Sequence, residues 1–108
     1  MAKLNQSTAV AYSKIYSIGA ARGDLIVTNE DIAGPINSSD EWITQRTGIV
    51  TRTRASKDRS LMDMAVEASN EAISKAGIKP SEIEAVIFST ITHPYQTPSA
   101  AALLADLV

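Results

Sequence analysis

With 108 residues, 44% of them apolar and 20% charged, the chain is long enough for one domain, or a piece of one, and small for an enzyme that must also enclose a substrate. Its formal charge of -2 argues against nucleic-acid binding through a blanket of Lys and Arg, and no stretch approaches the roughly 20 consecutive apolar residues of a membrane span. The lack of cysteine removes disulfides, thiolate metal sites and cysteine nucleophiles from these residues.

Residues 1–12, MAKLNQSTAVAY, have neither the apolar core nor the basic start of a secretory signal. They read as a flexible polar lead-in, and a cytoplasmic location is expected. KIYSIGAARG, residues 14–23, suggests a strand that leaves into a turn at Gly19 and Gly23. In VTNEDIAGPI, Thr28 or Asn29 can cap a short helix that Gly34 and Pro35 stop. SSDEWITQRTGI, residues 38–49, places Ser38 three residues before Glu41, a capping-box pattern, so a second helix is predicted from about Ser39 to Arg46 with Gly48 closing it.

IVTRTRA sets Val50, Arg52 and Arg54 against Ile49, Thr51 and Thr53, the two-residue period of a strand or extended arm, and its charge marks an edge. The clearest helix runs from Ser60 to about Ala76. Leu61, Ala65, Ala68, Ala72 and Ala76 recur at helical steps, Ser60 and Asp63 begin it and Gly77 ends it. AVIFSTI, Ala85 to Ile91, reads as a strand buried on both sheet faces. After a turn at Pro94 a further helix is predicted, with Thr97 as cap and Pro98 at its first position.

Trp42 and Arg46, four residues apart, share a helix face. They either stack on each other, which spacing alone favours, or stand apart and sandwich a flat aromatic ligand whose phosphate Arg46 can reach. His93, the only histidine, precedes a proline without a second ligand or nucleophile beside it, and reads as a loop or packing residue. The glycines of GAARG do not match a nucleotide loop. Glu67, Glu71 and Lys75 read as a solvated helix face with an ion pair, and no metal-ligand cluster or GxSxG elbow is present. Arg46, Arg52, Arg54, Lys57 and Arg59 crowd one window, either a solvated surface or an anion site.

SSDEWITQRTGI followed by TRTR resembles the signature region of β-ketoacyl-acyl-carrier-protein synthase III, of the thiolase superfamily. KIYSIGAARG, VTNEDI, AISKAGI, AVIFSTITH and QTPSAAALLADL extend the resemblance over residues 13–108, as an N-terminal segment. The resemblance implies an α/β, thiolase-like fold of which this is the N-terminal part of the first α/β half. It implies an acyltransferase that initiates fatty-acid biosynthesis by condensing acyl-CoA with malonyl-acyl carrier protein, releasing carbon dioxide. Coenzyme A thioester is then a substrate and no cofactor is expected. A homodimer is expected at full length, with neither nucleic acid nor membrane as partner.

By the same resemblance Trp42 and Arg46 hold the adenine of coenzyme A, Ser38 lies beside the nucleotide, and Thr97 sits at the dimer contact where it shapes the partner's acyl pocket. A small Thr there is compatible with longer or branched primers. The family's nucleophilic cysteine lies past the PSAA helix, and its catalytic His and Asn lie further on, so none of the catalytic residues is expected among these 108. The chain alone is expected to be inactive and to self-associate or pair with its remainder through AVIFSTI and the Ala-rich helix. Two alternatives stay open: a segment of another thiolase-superfamily acyltransferase, and a non-catalytic coenzyme A-binding or assembly module.

Overall fold

The computed structural model describes residues 12–93 and 95–108. The lead-in expected over residues 1–12 lies outside them except for Tyr12, as does the turn expected at Pro94. Strand β1 (Leu25–Thr28) runs directly into helix α1 (Asn29–Ala33), followed by α2 (Asp40–Thr47), β2 (Thr51–Arg54), α3 (Leu61–Ala76), a single 3-10 turn (Pro80–Glu82) and α4 (Ala100–Leu107). β1 and β2 pair antiparallel with Leu25 opposite Arg54 and Thr28 opposite Thr51. The TRTR strand was expected. LIVT, which pairs with it, was not.

Helix ends follow local hydrogen bonding closely. Of the two cap candidates for α1, Thr28 is the one used: its hydroxyl accepts from the Asp31 N–H at 3.3 Å, and the Asp31 carboxylate accepts from the Thr28 N–H at 2.7 Å. Ser60 and Asp63 form the same reciprocal pair at the start of α3, at 3.1 and 2.7 Å. Gly48 and Gly77 close α2 and α3 in the left-handed region, at φ 69° and 67°. Two starts differ from expectation. Ser39 rather than Ser38 caps α2, accepting from the Trp42 N–H at 3.2 Å, and α4 begins at Ala100 under a Ser99 cap rather than at Pro98 under Thr97. In both cases the serine next to the helix presents its hydroxyl to the backbone N–H three residues on.

Among the described residues KIYSIGAARG forms no strand and pairs with none. It lies instead along α3: the Ser17 hydroxyl donates to Ala72 O at 2.7 Å, Lys75 donates to Ile18 O at 3.3 Å, and the Ala20 N–H donates to the Glu71 carboxylate at 2.6 Å. This contact explains the glycines better than a turn does. A Cβ on Gly19 would sit 1.9 Å from Ala68 O and 2.7 Å from Ala72 N, and one on Gly23 would sit 2.3 Å from the Arg54 carbonyl carbon. Only a hydrogen fits between backbone and backbone there. Glu71 and Lys75 also form the expected i,i+4 ion pair at 2.7 Å, while Glu67 pairs with Arg59.

AVIFSTI is not a strand in this chain. Ile87 and Ile91 are 95% and 102% exposed, and among the described residues no strand pairs with this segment to complete its hydrogen bonds. α3 and α4 pack together and bury Ala100 and Leu104. Beside them Ile73, Ile83, Val86 and Val108 line an open apolar groove of about 360 Å³. The chain exposes 9248 Å², against about 5,800 Å² for a compact monomer of 11.5 kDa. The elements are those of an α/β fold whose sheet and core are only partly assembled from these residues.

Candidate functional site

Helix α2 is favoured at both ends: Asp40 and Glu41 stand in its first turn and Arg46 in its last, each charge opposing the helix dipole. Ile43 is its buried apolar residue. Trp42, about 100° round the helix from it, is 51% exposed, and the Arg46 guanidinium carbon lies 4.9 Å from the centre of the indole. The two therefore stack on each other, the arrangement spacing alone favoured. A flat ring placed between them needs about 7 Å, two contacts of about 3.5 Å, so Arg46 has to lift off the indole before anything can enter.

Beside Trp42 a shallow cleft of about 500 Å³ is lined by Ile36, Asn37, Ser38, Ser39 and Trp42. The turn that shapes it is tight: the Asn37 and Ser38 N–H groups donate to Gly34 O and Ala33 O at 3.1 and 2.9 Å, and Asn37 adopts φ 51°. The Ser38 hydroxyl is buried without a hydrogen-bond partner. Such a group is costly to leave unpaired. Ser38, Trp42 and Arg46 thus share one corner of the molecule. Thr97 does not line this cleft; it is exposed in the loop before α4.

Asn29 is the residue that sequence reasoning missed as a site element. It is 1% exposed, and its amide donates to Asp40 Oδ1 at 2.7 Å, to Ile49 O at 2.8 Å and, at a longer 3.2 Å, to Thr44 Oγ1. Its Oδ1 accepts from Arg52, whose other terminal nitrogen donates to Thr28 O at 3.2 Å. The sequence left open whether Thr28 or Asn29 caps α1; with Thr28 taking the cap, the Asn29 side chain has no local work.

The basic window does not form one anion site. Arg46 lies over Trp42, Arg52 is held on Asn29 and Arg59 on Glu67. His93 behaves as a packing residue: its ring meets Tyr95 edge-on at 5.8 Å and its Nε2 is 3.0 Å from Pro98 O, a carbonyl that can only accept, so Nε2 carries the proton. Hydrogen bonds lower the carboxyl pKa values of Asp31 and Asp63 (from Thr28 and Ser60) and of Asp24 (from Ser56). The Lys75 ammonium, then the Ala20 N–H, does the same for Glu71. These groups serve caps and contacts rather than chemistry. Among the described residues no three His, Cys, Asp or Glu side chains converge as metal ligands, and no helix is long and apolar enough to cross a membrane.

No family model matches the chain. It is 48% identical over 106 residues to the β-ketoacyl-[acyl-carrier-protein] synthase III of Kocuria rhizophila, covering 98% of this chain and 30% of that protein. It is 52% identical over 91 residues to the enzyme of the same name from Tropheryma whipplei, covering 84% of this chain and 28% of that protein. Among solved structures, the priming β-ketosynthase of the R1128 polyketide biosynthetic pathway superposes with a TM-score of 0.79 at 36% identity, over 87% of this chain and 28% of that one. The 3-oxoacyl-[acyl-carrier-protein] synthase III of Aquifex aeolicus VF5 superposes with a TM-score of 0.78 at 35% identity, over 86% and 30%. The chain spans less than a third of the length of these relatives. In sequence and in fold, it is a homologue of the β-ketoacyl-[acyl-carrier-protein] synthase III enzymes, matching one segment of them and carrying part of their thiolase-like fold.

Proposed function

We propose that residues 13–108 form the N-terminal segment of an acyltransferase that initiates fatty-acid biosynthesis, condensing acyl-CoA with malonyl-acyl carrier protein and releasing carbon dioxide. In this reading the segment supplies part of the coenzyme A site. Trp42 and Arg46 hold adenine between them, Arg46 also faces phosphate, and the Ser38 hydroxyl finds a partner beside the nucleotide. Thr97 contributes to the acyl pocket at the dimer contact of the complete enzyme. Coenzyme A thioester is a substrate, and the reaction needs no added cofactor. The setting is the cytoplasm.

The observation that carries the reading is the exposed stack of Trp42 and Arg46 beside a cleft that holds an unpartnered Ser38 hydroxyl. The acyl transfer itself needs a thiolate, a base and oxyanion donors. With no cysteine among its 108 residues, this chain alone should be inactive. A second reading, favoured by the likeness to a priming ketosynthase of a polyketide pathway, keeps the condensation and changes only the pathway it starts.

Trp42 is the only tryptophan, so its fluorescence reports the site directly. Titration with coenzyme A should quench it to saturation, whereas pantetheine, which lacks the adenine, should not. A flat titration with coenzyme A, or equal quenching by pantetheine, would sink the reading.

A further inference from the structure

We propose that Asn29 is the positioning residue of this site, gripping α2 so that Trp42 and Arg46 are presented outward; the functional consequence rests on the coenzyme A reading above. The geometry is specific. One side-chain amide touches the first residue of α2, Asp40, its middle at Thr44 and the chain just beyond it at Ile49. A helix advances 100° per residue, so Asp40 and Thr44 share one face, and Trp42 and Arg46, each two residues further on, lie about 200° round on the opposite one. The grip and the stack therefore sit on opposite sides of one short helix, and the roll of α2 about its axis sets where the indole points.

Little else holds that roll. α2 has eight residues and Ile43 is its only buried side chain. Asn29 is suited to the task because it offers donors and an acceptor together. Its Nδ2 serves the acceptors of α2 and Ile49 while its Oδ1 is taken by Arg52, itself tied to the end of β1. An aspartate there would set a carboxylate against Asp40 and the Ile49 carbonyl, and an alanine would leave all of them without the bond.

Amide hydrogen exchange on the chain, read by segment, tests this. In Asn29→Ala, exchange in α2 should quicken by about tenfold or more, while α3 stays within about twofold of wild type. The near-ultraviolet circular dichroism of Trp42 should weaken with it. Should Asn29→Ala fail to fold, Asp40→Ala removes an acceptor from the exposed end of the grip and should quicken α2 alone by about threefold or more. Asp40→Asn, which keeps an acceptor oxygen, should stay near wild type. Equal acceleration of α2 and α3, no acceleration, or Asp40→Asn matching Asp40→Ala would overturn the proposal. Coenzyme A separates the two readings: no binding by wild type rejects the ligand but leaves the exchange result standing, whereas unchanged affinity in a folded Asn29→Ala rejects the positioning role.

Discussion

Replacing Trp42 with alanine removes one plate of the proposed adenine clamp. The size of the effect follows from what each state keeps. In the free chain the Arg46 guanidinium lies 4.9 Å from the indole centre, a contact worth about 0.5–1 kcal/mol at an exposed site. When adenine enters, wild type exchanges that contact for one between guanidinium and adenine, whereas the variant gains the second without giving up the first. The loss is therefore the stacking of adenine on indole, about 1–3 kcal/mol per base on aromatic platforms, less the indole–guanidinium contact, which leaves about 0.5–2 kcal/mol. Coenzyme A affinity should therefore fall by about 2- to 30-fold, and Trp42→Phe, which keeps a smaller ring, should fall between the two. Because the variant lacks the fluorophore, titration calorimetry is the appropriate assay, with thermal unfolding as a check that the chain still folds. An unchanged dissociation constant would refute the clamp and leave Trp42 as a surface side chain on which Arg46 rests.

Three further outcomes follow from the fold. Gly19→Ala drives a Cβ to within 1.9 Å of Ala68 O and should lift the 14–23 segment off α3, costing about 1–3 kcal/mol as an overpacked contact; thermal unfolding at wild-type values would contradict the backbone-to-backbone packing. Ser60 hydrogen bonds hold the Asp63 carboxyl below its ordinary 3.8, so its stabilisation is complete above that value and is lost as pH falls through the lowered folded value. Acid titration followed by far-ultraviolet circular dichroism should accordingly show helix loss beginning below about pH 4, and an equally steep loss in Asp63→Asn would remove this residue from the account. The exposed apolar side chains of Ile87 and Ile91 should drive self-association; sedimentation should show smaller species for Ile87→Lys/Ile91→Lys at unchanged helix content, and an unaltered size distribution would place the contact elsewhere.

Sequence by itself determined what closes within one helical turn. The cap at Ser60, the stops at Gly48 and Gly77, and the shared face of Trp42 and Arg46 rest on partners three or four residues away, so their chemistry is written in consecutive letters. Even the choice between Ser38 and Ser39 exceeded that resolution, since both hydroxyls stand before α2 and only backbone direction separates them. Tertiary structure decided whatever depends on a distant partner. KIYSIGAARG has the pattern of a strand yet binds a helix, through hydrogen bonds that span 51 to 57 residues. AVIFSTI has the pattern of a buried strand yet lies open, because a strand exists only when a neighbour takes its hydrogen bonds. Asn29 looked like a spare cap and became the link between α1, α2 and β2, across 11 to 23 residues of chain. A hydrogen bond formed across such a distance depends on the whole path of the backbone between its ends, and no local pattern of residues encodes that path.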